Sequence, residues 1–314
     1  MLTRKQEFEL VTSIKGRGEI PLKFAYLGDG AKNWDSVAKH RSAGEGINTT
    51  EAILLKKKIK TFLDSYKTDK KINVIDIGCG NGIPVYPILE ELEKQDIDYK
   101  YVPIDISKEL LDLAIKNVKL KFKNADCESF QLDFELGNFS DIVYELKKDD
   151  SVNLLLFLGS TLGNHSDRSR VLTNFRDSMT SDDFMIIGVE LTNISKINKI
   201  IPHYSEKING DFLYSIPEKM GINRKDTIYD VSWNDKLNRI EVKMILKNDI
   251  NVKIGSEKFK LEKDEQILIG ISAKFTEWTI TKLFSDVGFR TELLTTTEDR
   301  GYIFSIVQPT RYSI

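Results

Sequence analysis

The run Val74-Ile75-Asp76-Ile77-Gly78-Cys79-Gly80-Asn81-Gly82 constrains this chain more than any other stretch, because an apolar strand ends there in a glycine turn that opens a helix. Glycine is needed where backbone meets a ligand lying across strand ends. A side chain would block the approach, and a tight turn demands backbone angles that other residues resist. Nicotinamide-binding folds use a related GxGxxG turn with an acid about 20 residues on. Here the glycines alternate at Gly78, Gly80 and Gly82, and Ile83 stands where that fingerprint wants its third glycine. A second strand, Tyr101-Val102-Pro103-Ile104-Asp105, ends in an acid placed to accept both hydroxyls of a ribose. Asp105 is therefore the stronger acidic ligand and Asp76 the weaker, with a plain acidic loop residue at a strand end as the alternative for Asp105.

Strand, turn and acid together resemble the S-adenosylmethionine (SAM) loop of a class I methyltransferase. That resemblance implies SAM as cofactor, held by Asp76, Gly78, Gly80, Gly82 and Asp105, with Asp76 suited to the amino cation and sulfonium of the methionine end.

At 314 residues the chain exceeds the usual single-domain size, so two domains or one domain with an insertion is expected. With 46 basic and 48 acidic residues the balance gives no broad electrostatic footprint for nucleic acid or a membrane. Lys56-Lys57-Lys58 and the lysines between 119 and 123 read as solvated helix faces. The two cysteines, one inside the glycine turn, point to a reducing compartment. No signal-like apolar core or membrane-length run is present, so a cytoplasmic location is expected.

Up to about Gly46 no clear periodicity emerges. A helix then begins at Asn48-Thr49-Thr50-Glu51, a cap followed three positions on by Glu, with Ala52, Leu55, Ile59, Phe62 and Tyr66 on one face. Polar residues 67–71 lead into the first strand. Strands and helices then alternate: Pro84 and Pro87 suit a helix's first turn, Ser107 caps a helix, and buried strands are expected at 130–132, 152–158 and 184–191. This order predicts a parallel sheet with helices on both faces and ligands at the strands' carboxyl ends. After Asn193 the pattern changes to the half-exposed alternation of Ile240, Val242, Met244 and Leu246, with neighbours at 227–233, 251–254 and 266–271 completing a meander. A helix over 276–287 and a strand pair at 290–294 and 302–307 close the sheet. The expected fold is α/β, a class I methyltransferase Rossmann-like sheet with a second, α+β substrate-binding lid. Its parts are an N-terminal helical segment packing on the core (1–70), the SAM-binding core (71–193), the lid (194–272) and a C-terminal completion of the sheet (273–314).

The stretch Leu156-Phe157-Leu158-Gly159-Ser160-Thr161-Leu162-Gly163-Asn164-His165 resembles the histidine-specific N-methyltransferase family of ergothioneine biosynthesis, whose fungal relatives methylate a prenylated tryptophan. Supporting matches run from Tyr26 to Tyr302 and include Leu132-Asp133-Phe134-Glu135, Gly188-Val189-Glu190-Leu191, Tyr204, Asn238-Arg239-Ile240-Glu241 and Ile271-Ser272-Ala273-Lys274-Phe275. The resemblance implies α-amine methylation of an amino acid. Asp133 and Phe134 would lie near adenine, with Tyr26 also on the cofactor. Asn164 and Tyr204 would be the catalytic pair holding amine and carboxylate, and Ser272 would line the side-chain pocket. Asn164 also fits a turn residue tolerating a left-handed conformation, Tyr204 a packed aromatic at a domain seam, and Ser272 an ordinary strand serine. Among His40, His165 and His203 no pair has metal-ligand spacing, so no metal is expected.

Methyl transfer from a sulfonium asks mainly for orientation, with a neutral amine lone pair in line with the breaking bond. The ammonium must also lose its proton, which makes Tyr204 first an orienting group and second a proton acceptor. Histidine-specific relatives carry a glutamate two residues before the serine, whereas here that position is Gly270. Their tyrosine-rich approach is replaced by Gly44-Glu45-Gly46-Ile47-Asn48, and a basic residue past the glycine turn by Pro84. The first two departures point away from histidine toward a bulkier or differently polar amino-acid-like partner, whereas the third touches only one cofactor contact. An O-methyltransferase on a small acid or phenol and a non-catalytic SAM-binding protein remain the alternatives. Gly159-Ser160-Thr161 stands where base-amine methyltransferases carry an Asn-Pro-Pro-Tyr-like motif, which argues against nucleic acid.

Overall fold

The structure, a computed structural model, describes residues 2–42, 47–66, 70–147, 150–192 and 194–310. In chain order α1 (Arg4–Arg17), α2 (Asp29–Ser42) and α3 (Ile47–Tyr66) precede β1 (Ile72–Ile77), α4 (Tyr86–Lys94), β2 (Tyr99–Asp105) and α5 (Lys108–Lys121). Next come β3 (Asp126–Cys127), β4 (Phe130–Gln131), α6 (Ser140–Leu146), β5 (Val152–Phe157), α7 (Arg168–Ser178) and β6 (Phe184–Glu190). Then follow α8 (Ile194–Tyr204), α9 (Lys207–Leu213), β7 (Thr227–Asn234), β8 (Arg239–Leu246), β9 (Ile250–Ile254), β10 (Glu257–Leu261) and β11 (Gln266–Ala273). The chain closes with α10 (Glu277–Asp286), β12 (Phe289–Thr296) and β13 (Tyr302–Pro309). Two compact units result: a large one of Ala38–Thr192 and Lys274–Ile314, and a small one of Met1–Val37 and Asn193–Ala273.

In the large unit the sheet runs β12-β13-β6-β5-β1-β2-β3, with β4 also on β2. β1 pairs parallel with both β2 and β5, β5 parallel with β6, and β13 antiparallel with β6 and β12. Every residue of β1 is buried, the mark of a strand covered on both faces. Ile75 and Ile77 pack into one cluster with Val143, Phe175 and Phe284 of α6, α7 and α10. Ile72 and Val74 pack into the other with Leu55, Ile88 and Leu111 of α3, α4 and α5. This is the doubly covered α/β sheet expected from the alternation of strands and helices. Because strand order reverses at β1, the carboxyl ends of β1, β2 and β5 are where such a fold opens toward a ligand.

In the small unit β11-β8-β7 form an antiparallel sheet, and β9 pairs with β10 in a separate hairpin. The expected single meander is thus divided, and β10 was not anticipated from the sequence. Another difference concerns residues 1–70, expected to pack on the core as one segment. Leu10, Val11 and Ile14 of α1 instead share the small unit's cluster with Val242, Met244 and Leu246, while α3 belongs to the large unit. The stretch without clear periodicity contains α1, opened by a reciprocal capping box between Thr3 and Gln6 and stopped by left-handed Gly18. α3 starts at Ile47, one residue ahead of the expected cap. The expected strand at 130–132 is reduced to two residues.

Candidate active site

At the end of β1 the chain turns through three left-handed glycines, with φ of 65° at Gly78, 55° at Gly80 and 70° at Gly82. The Gly78 N–H donates to the Ile104 carbonyl at 2.7 Å, tying the turn to β2. A Cβ on Gly78 would stand 3.4 Å from the Phe134 ring and 3.7 Å from Thr161 Cγ2. The glycine turn, the Asp133-Phe134 turn and the loop after β5 therefore converge. Gly82 serves a different contact: a Cβ there would stand 2.9 Å from Ala114 Cα, so it admits α5 rather than facing the other two loops.

Asp105 is buried and engaged on both oxygens, accepting from Gly80 N–H at 3.3 Å and from Ser107 N–H at 2.9 Å. Its remaining lone pairs can take ribose hydroxyls. Burial raises its pKa to about 6 against the opposing backbone hydrogen bonds. Asp76 accepts from the Tyr101 hydroxyl at 2.9 Å; burial first, and the charge of Asp105 second, raise its pKa to about 7. A third buried acid, Glu51, which the sequence offered only as the far end of a capping box, lies within electrostatic reach of Asp76 and is raised to about 7, chiefly by burial. Among the described residues none of the three has a salt-bridge partner. Buried acids without a cationic partner fit a ligand that brings its own positive charge, as SAM does with its ammonium and sulfonium.

Asp133 accepts Glu135 N–H at 3.1 Å, which shapes the turn that presents Phe134. Phe134 packs edge-on against Phe157 and His165, at ring centroid separations of 5.6 Å each. His165 is buried, with Nδ1 3.0 Å from Glu135 Oε1. Asn164 is half-buried and ends the short 3-10 turn Thr161–Asn164 that follows β5. It belongs to the large unit, with every cofactor candidate except Tyr26.

Tyr26, Tyr204, Gly270 and Ser272 lie in the small unit. Tyr26 packs with Trp34 and Phe212, at 5.3 and 5.0 Å. Tyr204, at the end of α8, donates its hydroxyl to Ser272 Oγ at 2.9 Å, and its carbonyl accepts from the Tyr229 hydroxyl, also at 2.9 Å. Gly270 corrects one expectation. A Cβ there would meet Leu213 at 3.3 Å and Val242 at 3.5 Å, so the volume that the missing side chain seemed to free is filled by apolar neighbours. The other proposed opening, at Gly44, Glu45 and Gly46, lies outside the described residues. No group of metal-binding side chains occurs among the described residues, and no helix among them is long and apolar enough to cross a membrane.

The chain is 24% identical over 294 residues to a 4-dimethylallyltryptophan N-methyltransferase of Penicillium roqueforti, covering 86% of this chain and 83% of that one. It is 31% identical over 125 residues to ergothioneine biosynthesis protein 1 of Neurospora crassa, an alignment spanning 38% of this chain and only 14% of that protein. A solved SAM-dependent methyltransferase from Clostridium acetobutylicum covers 98% of the chain at 11% identity and a TM-score of 0.45. Residues 9–309 match the family described as histidine-specific, SAM-dependent methyltransferases, and the chain belongs to that family.

Proposed function

We propose that this enzyme methylates the α-amine of a free amino acid, or an amino-acid-like amine, whose side chain is less polar than imidazole. The observation that carries the substrate side of this reading is Gly270. Where histidine-specific relatives have a glutamate, this chain directs the missing side chain at Leu213 and Val242, leaving no carboxylate there for an imidazole nitrogen. A buried polar group without a partner loses roughly 1 to 3 kcal/mol. The long alignment with a 4-dimethylallyltryptophan N-methyltransferase supports an aromatic amino acid.

SAM supplies an electrophilic methyl group on a sulfonium. Asn164 is assigned to the substrate amine: its carboxamide oxygen can accept an amine N–H and leave the lone pair directed at the methyl. Tyr204 is assigned to the substrate carboxylate, to which its hydroxyl can donate in place of Ser272 Oγ, and Ser272 to the side chain. Desolvation of the amine favours the neutral, nucleophilic form. Two free thiols, Cys79 and Cys127, support placing the reaction in the reducing cytoplasm. The near balance of charge supports a small-molecule partner.

Incubation with methyl-labelled SAM and a panel of histidine, tryptophan, the other free amino acids and 4-dimethylallyltryptophan, with products identified by mass, tests the reading. Histidine is expected to have a kcat/KM at least about tenfold below the best substrate. Histidine as the best substrate would overturn it.

A further inference from the structure

Gly159 and Ser160, which begin the loop after β5, are consecutive residues in the left-handed region, with φ of 71° and 58°. Ser160 is not glycine, so this conformation persists only where surrounding groups over-determine it. The group that holds this turn is a side chain from a helix more than a hundred residues earlier. Glu51 of α3 accepts the Gly159 N–H on both carboxylate oxygens, at 3.0 and 2.9 Å. The Tyr302 hydroxyl of β13 donates to Glu51. Glu51 and Tyr302 are both 1% exposed. Gly188 of β6 makes room for the pair, because a Cβ there would overlap Glu51 Oε1 and the Tyr302 hydroxyl. From the other side, Glu190 N–H donates to Ser160 Oγ at 3.0 Å, and the Glu190 carboxylate is paired with buried Lys274.

We propose that Glu51 is a positioning residue for methyl transfer, pinning the Gly159–Ser160 turn and so fixing where the following turn presents Asn164. The proposal rests on the assignment of Asn164 to the substrate amine, and its test separates the two.

Hydrogen–deuterium exchange of the peptide spanning 158–164 reads the pinning directly. In Glu51→Ala this peptide should exchange at least about tenfold faster, while peptides from β1 and β6 keep their protection. Glu51→Gln, whose amide oxygen can take the shared position, should recover most of the protection. Methyl transfer to the amino-acid panel, measured where all variants are folded and SAM-saturated, should fall at least about tenfold in Glu51→Ala and recover with Glu51→Gln. If Glu51→Ala does not fold, Tyr302→Phe removes one arm of the clamp and should loosen the same peptide about threefold. Unchanged exchange at 158–164, or an equal rise across β1 and β6, would overturn the pinning. Loosened exchange with undiminished methyl transfer would overturn the positioning role. If instead Asn164→Ala transfers methyl groups as well as the unmodified protein, the assignment of Asn164 fails while the exchange result still decides whether Glu51 pins the turn.

Discussion

The carboxyl end of β1 and the face of β11 solve opposite problems. At β1 the chemistry is written in backbone: left-handed glycines, strand-end acids, and N–H groups donated to Asp105 from Gly80 and Ser107. At β11 it is written in side chains brought by other elements: Tyr204 from α8 on Ser272, and Leu213 from α9 over Gly270. The first holds buried acids lacking basic partners, and the second an apolar face with one hydroxyl pair. A cofactor common to many enzymes can be gripped by geometry that tolerates little change. If the β11 face meets the substrate as proposed, its side chains can be exchanged between relatives without disturbing the strand beneath.

The largest expected effect belongs to the acids. Glu51, Asp76 and Asp105 have folded-state pKa values raised to about 7, 7 and 6, so the folded protein holds protons that the unfolded chain releases. Their stabilisation is full below the unfolded values near 4 and is lost as pH rises through 6 to 7. Without SAM, stability should fall by on the order of 6 kcal/mol between pH 5 and pH 8, measured by denaturant unfolding. SAM affinity should move the other way, strengthening toward pH 8 with proton release visible by calorimetry in buffers of different ionisation heat. A flat stability profile would remove the contrast between the two regions.

Next is Gly270→Glu. Were the absent carboxylate the sole barrier to histidine, this change would confer activity on it. Leu213 and Val242 predict instead a charge forced against apolar neighbours, with a loss of about 3 kcal/mol and no gain on histidine. A stable variant that methylates histidine would show that the β11 face is more open than its packing implies. The smallest of the three effects is Asp105→Ala, which should weaken SAM binding at least tenfold, about 1.5 to 3 kcal/mol for a charge-assisted bond, with the fold intact. Unchanged SAM affinity by calorimetry would release β2 from its role.

Legibility from sequence follows the same division. β1, β2, β5, β6 and the closing hairpin were readable because buried parallel strands are continuous apolar runs and glycine and aspartate punctuate their ends. α1 went unread although its Thr3-x-x-Gln6 capping box was available as a signal, since its inward face is limited to a few apolar residues. β10 carries lysines at 258 and 260 around Phe259, too little apolar alternation to stand out. Glu51 was legible only as a local cap. Its actual partners, Gly159 and Tyr302, are 108 and 251 residues away, and no local pattern reports a pairing at that separation. Gly270 was visible as a departure, but the residue filling its place, Leu213, could not be inferred from spacing.

The interleaving of the chain sets the order in which the protein can be made. The small unit draws on both 1–37 and 193–273, so α1 emerges from a ribosome long before the strands whose cluster it joins. The large unit waits longer still, because β13 lies between β6 and β12 and follows both in the sequence. Until it arrives, β6 has an unpaired edge and Glu51 lacks Tyr302. A chain shortened before residue 302 would therefore lose an interior strand rather than a fringe, and would leave in its place an open edge suited to joining a neighbour.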